Sequence, residues 1–298
     1  MKNFTTHAPF AGRFRVLCVL ALVALVAACS SIKLAYNNGD TLLYYWMDAY
    51  LDLDSDQADT VKTDIDQLFQ WHRKTQLKEY VQVLKNGQRQ VLGNPSQADL
   101  LADVRAILVR AQALGNRAIP DLTDLARSVK PEQLDQMEKK FESNNDKFRK
   151  KFINVDLDKQ QKLRYQKSME QFELWFGGFS DAQEATLRKV SDARPLNNAI
   201  WLDERIIRQK KILSVLRKVQ KDKLGKEATT GLIQDLIKQL FGRLESPERK
   251  AFYDSHLDGS TQMMLTAIKI ATPEQKAHAQ KRMQGWIDDF NALATQNQ

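Results

Sequence analysis

Apolar side chains recur every three to four residues along almost the whole chain, and that period constrains the fold more than any other feature. Val61, Ile65, Leu68 and His72 fall on one helical face, as do Leu134, Met137, Phe141 and Phe148. Leu232, Ile233, Leu236, Ile237, Leu240 and Phe241 form another such stripe. Residues at this spacing lie on one side of a helix. The alternating, β-branched runs that mark strands are missing. The prolines after residue 28, at 95, 120, 131, 195, 247 and 273, fall at or near breaks in the stripes, as expected of a residue that interrupts a helix interior. The chain is therefore expected to be all-α, a bundle or layered array of roughly eight to ten helices joined by short turns. No clear linker divides it, and Gly177-Gly178 is the best candidate for a hinge.

The helix starts share a pattern. Asp54-Ser-Asp-Gln57, Asp158-Lys-Gln-Gln161, Ser180-Asp-Ala-Gln183 and Thr272-Pro-Glu-Gln275 each place a capping side chain three residues before a glutamine. The first side chain can accept from the third amide of the helix while the glutamine reaches back, which satisfies two otherwise orphaned donors. Lys130-Pro-Glu-Gln133 and Ser246-Pro-Glu-Arg249 are partial versions, with proline suited to the first helical position. Leu53, Leu157 and Phe179 precede three of the boxes. With them the boxes resemble the L-T-x-x-Q repeats of small periplasmic stress chaperones, although no copy reads L-T. The plainer reading is good capping in a helical protein.

The N-terminus carries an address. Lys2, Arg13 and Arg15 make it positive, and no acidic residue precedes Asp40. The apolar run from Val16 to Ala28 is thirteen residues long, too short for a helix crossing a bilayer, which needs roughly 20 residues. It suits the core of a secretory signal. Val26-Ala27-Ala28-Cys29 then resembles the lipobox of bacterial lipoproteins. That resemblance implies cleavage after residue 28, a diacylglycerol on Cys29 and an acylated new N-terminus. Two or more chains are needed for stable anchoring. Ser30, rather than Asp, points to the outer membrane in the same family. The expected organisation is a signal peptide at 1–28, a lipidated tether at 29–39 and a single all-α periplasmic domain at 40–298. Extended, the tether would reach at most roughly 35 Å. Cys18 leaves with the signal, so no disulfide or thiolate metal site is possible afterwards, and stability must come from an apolar core.

Charge is unevenly placed. Without Lys2, Arg13 and Arg15 the 45 basic residues fall to 42 against 37 acidic, a net of +5. Asp48 to Asp66 holds seven Asp and one Lys, whereas Arg205 to Lys226 holds nine basic residues and one Asp. Such polarity speaks to partners rather than to fold. Lys210, Lys211, Arg217, Lys218 and Lys221 are expected on the outer face of an amphipathic helix from Leu202 to Lys223. That face is either solvated or meets an anionic partner such as lipid headgroups or lipopolysaccharide phosphates. Nucleic acid is excluded by compartment. Two polar residues sit on apolar stripes. His72 follows Leu68, and Arg205 shares a face with Trp201, Ile212 and Leu216. A half-buried arginine needs a carboxylate, and Asp48 and Asp52 are the expected partners. Asp48, Asp52, His72 and Arg205 are thus a candidate buried polar cluster.

Catalytic and metal-binding patterns fail on inspection. Asp52-Leu-Asp54-Ser-Asp56 starts like a calcium loop but continues to Gln57 and Thr63, where Gly and a bidentate Glu are required. His72, His256 and His278 have no zinc-ligand spacing. Neither a nucleophile elbow nor a phosphate-cradling glycine loop is present. Gly231-Leu-Ile-Gln234 resembles a lytic transglycosylase motif, but its Glu-Ser companion does not lie upstream where it should. No cofactor, no metal and no enzymatic activity are expected.

The segment LAYNNGDTLLYYWMDAYLDLDSDQ (34–57) is the most unusual, with four of the seven tyrosines and one of the five tryptophans. Together with WHRKTQLKEY (71–80) and NNAIWLDER (197–205) it resembles a family of bacterial lipoproteins whose domain has no assigned function. The resemblance implies a lipid anchor and a helical domain, and supplies no activity. Leu42, Tyr45, Trp46, Ala49 and Tyr50 share a helical face behind the cap Asp40. That face is expected either to pack on the core or to meet a bilayer interface, which suits Tyr and Trp. The functional expectation is a membrane-anchored helical module, partnered by an unknown envelope protein, that binds or scaffolds. A lipid-tethered chaperone is the alternative.

Overall fold

A computed structural model describes residues 31–242, 247 and 249–296. The expected signal segment and Cys29 lie outside the described residues, as do two of the four residues of the Ser246-Pro-Glu-Arg249 box. Among the described residues there are thirteen α-helices and no strand. The class is as expected and the number is higher. In chain order they are α1 (Ser31–Asn37), α2 (Gly39–Leu51), α3 (Ser55–Thr75), α4 (Leu77–Leu92), α5 (Gln97–Arg117), α6 (Ile119–Ser128) and α7 (Pro131–Phe148). A π-helical turn (Arg149–Ile153) leads to α8 (Leu157–Phe176), α9 (Asp181–Ala193), α10 (Asn198–Asp222), α11 (Lys226–Phe241), α12 (Lys250–Ile270) and α13 (Pro273–Thr295). The surplus arises where two helices carry what reads as one stripe. α3 and α4 meet at Gln76, which keeps a right-handed backbone, and α5 and α6 meet at Ala118, just before Pro120.

Two hydrophobic cores organise the helices. The first gathers Leu51, Ile119, Ala126, Leu134, Met137, Leu213, Leu216, Ile233 and Ile237 from α2, α6, α7, α10 and α11. The second gathers Val91, Met169, Phe172, Phe176, Leu187, Met263, Ala267, Ile268 and Ala279 from α4, α8, α9, α12 and α13. Neighbour relations repeat six helices apart. α2 packs on α3 and α7, as α8 packs on α9 and α13. α3 meets α6 as α9 meets α12, and α6 meets α11 as α12 meets α5. The repeat is crossed, because α10 joins α7 in the first core while α4 joins α13 in the second.

Each core has a pair of capping-box glutamines at its edge. Gln57 and Gln133 donate to each other's side-chain oxygens, at 3.1 and 2.6 Å. Gln183 and Gln275 do the same at 2.8 and 3.1 Å. Each oxygen also accepts from its own cap N–H, those of Asp54, Lys130, Ser180 and Thr272. The remaining donor of each amide goes to a carbonyl two residues before the partner's cap: Ser128, Asp52, Ile270 and Gly178. Lys130 cannot accept as a cap, and its ammonium instead pairs with Asp54 at 2.8 Å. The expected box at Asp158 does not form. Asp156 caps α8 by accepting from Lys159 N, two residues earlier than expected. Ser96 and Asp99 form a box that was not expected.

Gly177, a candidate hinge residue, forms the corner after α8. It ends α8 at φ +77°, a region open to glycine, and the next carbonyl is held by Gln275. Removing one amide of a buried pair leaves the other partly unsatisfied, at a cost of about 1–3 kcal/mol. Gln133→Ala should therefore lower the unfolding free energy in urea by about 2 kcal/mol. Gln57→Ala with Gln133→Ala should cost less than the two single changes added, because they share one interaction. Strict additivity would mean that the pair contributes nothing as a unit.

Candidate functional site

The expected polar cluster of Asp48, Asp52, His72 and Arg205 is not assembled. Asp48 accepts from Leu53 N at 3.0 Å and so closes the end of α2. Asp52 is exposed, takes the left-handed conformation at φ 50°, and offers its carbonyl to Gln133. Arg205 has no carboxylate partner among the described residues. Its guanidinium lies over the Phe148 ring, 5.1 Å from the centroid. An aromatic face can receive a half-buried arginine without a counter-ion, and spacing along one helix does not reveal which ring lies opposite. The buried charge on this helix is the neighbouring Glu204, only 10% exposed in its side chain and paired with Arg249 at 3.0 Å. It was missed because it lies off the apolar stripe and its partner is 45 residues away.

His72 instead meets the N-terminus. Tyr36 on α1 places its hydroxyl 2.8 Å from His72 Nδ1. Burial is the main cause of raising the Tyr36 phenol, to about 12, so at neutral pH it keeps its proton. Burial also lowers His72, which keeps the ring neutral. Tyr80 packs on the other side at 5.7 Å. Arg73 is buried and lies 5.5 Å from the Tyr36 centroid, with its Nε unpartnered. Gly39 allows the α1–α2 corner to close on α3, because a Cβ there would come within 2.8 Å of the Phe69 ring. Residues 31–37, expected as part of an extended tether, are therefore a helix packed on α13 and α2. Arg73 could have been suspected from its place beside His72 on the stripe.

Docking Tyr36 inward turns other residues outward. Leu34, Leu42, Tyr45 and Trp46 are 60–65% exposed. The face of Leu42, Tyr45 and Trp46, for which core packing was one expectation, is thus on the surface. Leu51 is the residue of α2 that enters the first core. Tyr50 is half-buried, packed on Phe141 and bonded through its hydroxyl by Asn144. Trp46 stacks on Tyr50 at 5.0 Å. The cap also differs from expectation, since α2 begins at Gly39 and Asp40 lies in its first turn.

Lys210, Lys211, Arg217, Lys218 and Lys221, expected on the outer face of α10, are all exposed. Arg217 is paired with Glu138 at 2.6 Å and Lys218 with Asp222 at 2.8 Å. Lys210, Lys211 and Lys221 have no ion pair among the described residues. The face therefore carries less free charge than its composition implies. The box glutamines are committed to one another and to main chain, so these repeats account for the fold rather than for an open binding surface. Among the described residues no group of three His, Cys, Asp or Glu could hold a metal ion, and no helix is long and apolar enough to cross a membrane.

An all-α protein of two crossed cores, with an exposed aromatic face at its N-terminal corner, is the class these features define. The chain belongs to DUF6279, a family of unknown function, whose model matches residues 49–240. WHRKTQLKEY and NNAIWLDER lie inside the match, and the 34–57 segment enters it at residue 49. No curated protein and no solved structure matches the chain.

Two outcomes follow from this geometry. Arg249→Met strands the buried Glu204 carboxylate and should cost about 3 kcal/mol in urea unfolding. Arg205→Ala loses a cation–ring contact and should cost about 1 kcal/mol or less. Reversal of that order would contradict the pairing. For His72, the folded value lies below the ordinary one of about 6.5. Its stabilising contribution is therefore complete above about 6.5 and is lost as pH falls through the folded value. Urea midpoints should drop between pH 7.5 and 5, and the drop should be smaller in His72→Gln. Identical slopes in the two proteins would show that His72 does not titrate with unfolding.

Proposed function

We propose that this protein is a lipid-anchored envelope protein. Cys29 carries the anchor, the outer membrane holds it on the periplasmic face, and the helical domain is a non-catalytic module that binds or scaffolds another envelope component. The observation that carries this reading is the exposed face of Leu34, Leu42, Tyr45 and Trp46, which starts five residues after Cys29. Contiguous exposed apolar surface marks a membrane or partner site, and Tyr and Trp favour the level of the headgroups. A face so close to the lipidation point would lie against the bilayer. Because α1 is docked through Tyr36 and His72, the anchor would hold the domain at the surface with almost no slack. A helix rises only about 1.5 Å per residue, less than half the extended value. Acyl chains and aromatic face would then act together, as stable attachment requires more than one signal.

The lipobox and Ser30 support the anchor and its destination, and the arrangement of catalytic residue types supports no reaction. Radiolabelled palmitate should enter the wild type and not Cys29→Ala. In flotation with phospholipid vesicles, the unlipidated Cys29→Ala protein should bind weakly. Adding Tyr45→Ser and Trp46→Ser should reduce that binding several-fold. Equal labelling of wild type and Cys29→Ala would overturn the anchor, and unchanged flotation would overturn the role of the face.

A further inference from the structure

A cavity of about 320 Å³ opens between α8, the residue that follows the end of α9, and α12. Its polar lining contains donors and no acidic side chain: Arg164, Lys167, Arg194 and His256 face it above a floor of Phe172 and Met263. That is the small end of the range for ligand sites, which are mostly apolar with a few convergent polar groups.

The arginines are placed with care and left partly unused. The Arg194 stem lies across Gly259, where a Cβ would come within 2.8 Å of its Cγ. Its Nη2 donates to Ser168 Oγ at 3.1 Å and Ser191 Oγ at 3.3 Å. Arg164 donates to the carbonyls of Ser191, Arg194 and Pro195, and so caps the end of α9. The Nε of both arginines is buried without a partner. Among the described residues neither is in an ion pair with a carboxylate. Asp192 acts on both from nearby, but its Oδ2 is held by Arg188 at 2.6 Å. Two guanidinium groups thus line one space and share a single carboxylate that a third arginine already holds. Burial above all, and then Arg164, pushes Arg194 down to about 10. Burial, followed by the two arginines, also lowers His256. One carboxylate among three arginines leaves positive charge in excess, which is costly where it is partly buried, and a fixed set of donors around an apolar floor has the chemistry that an anion with an apolar tail would complete.

We propose that this cavity is a binding site for an amphiphilic oxyanion, with a carboxylate or phosphate head against Arg194, in the positive field of Arg164, and its apolar part over Phe172 and Met263. An arginine fork suits both head groups. The site lies in the second core, whereas the proposed membrane face lies on α1 and α2, so it stands or falls independently of the lipid anchor.

The test uses the unlipidated full chain, Cys29→Ala, and short-chain probes that stay monomeric in solution. Titration calorimetry should give one site for hexyl phosphate or hexanoate and no binding of the neutral hexyl glucoside. Arg194→Met keeps the stem over Gly259 and removes the guanidinium. Its affinity should fall about tenfold or more, as expected for loss of a charge-assisted hydrogen bond. Ser260→Leu fills the cavity without altering charge and should weaken binding similarly, which keeps the test decisive if Arg194→Met fails to fold. Inorganic phosphate should bind much more weakly than hexyl phosphate, as expected if the apolar part lies over Phe172 and Met263; equally tight binding would show that the floor adds nothing and would overturn an amphiphilic ligand. Equal affinity for hexyl glucoside, absence of binding by both charged probes, or wild-type affinity in either folded variant would overturn it.

Discussion

The reciprocal glutamine pair is the interaction on which the rest of the fold rests. A helix N-terminus brought into a core carries orphan N–H groups that must find acceptors. Here two such termini face each other, and one pair of amides meets the needs of both. Gln57 and Gln133 bind each other, their own caps and a carbonyl before the opposite cap. Gln183 and Gln275 repeat every one of these bonds in the second core. Buried polar networks are stable only when fully satisfied, and these are. They fix which helix starts sit together: α3 with α7 in the first core and α9 with α13 in the second.

The N-terminal corner depends on a smaller version of the same economy. Tyr36, His72, Arg73 and Tyr80 share one patch in which rings and a single hydrogen bond replace ion pairs. Burial keeps both titratable rings neutral, the phenol by raising it and the imidazole by lowering it. With Tyr36 inside, the neighbouring Leu34 is turned outward, and α2 extends the exposed strip through Leu42, Tyr45 and Trp46. An apolar surface at this place gives a lipid-anchored reading of the chain a physical content that a tether alone would not have.

Much of this was legible in the chain. Helical period fixed the class, since strand patterns were missing throughout. Three of the four full boxes lie where the residues put them, because an N-cap is a local interaction spanning four residues. The fourth failed: the glutamine spacing pointed to Asp158, but the chain starts the helix two residues earlier with Asp156 as a simple cap and no returning glutamine. Arg205 and Glu204 show a different limit. Stripe counting placed the arginine inward correctly, yet it could not name Phe148 as its neighbour, nor see that Glu204 would be buried by Arg249. Arg164 lies on such a stripe too, four and eight residues before Ser168 and Phe172, but nothing local sets it beside Arg194.

Sequence by itself thus determined the helical class and several helix starts, because each depends on residues within a few positions of one another. Only the tertiary structure decided that the capping glutamines pair across 76 and 92 residues, that His72 serves Tyr36, and that Arg164 and Arg194 face a common cavity. These are encounters between distant segments. They follow from how two cores share their helices, and no periodicity along a single helix contains that information.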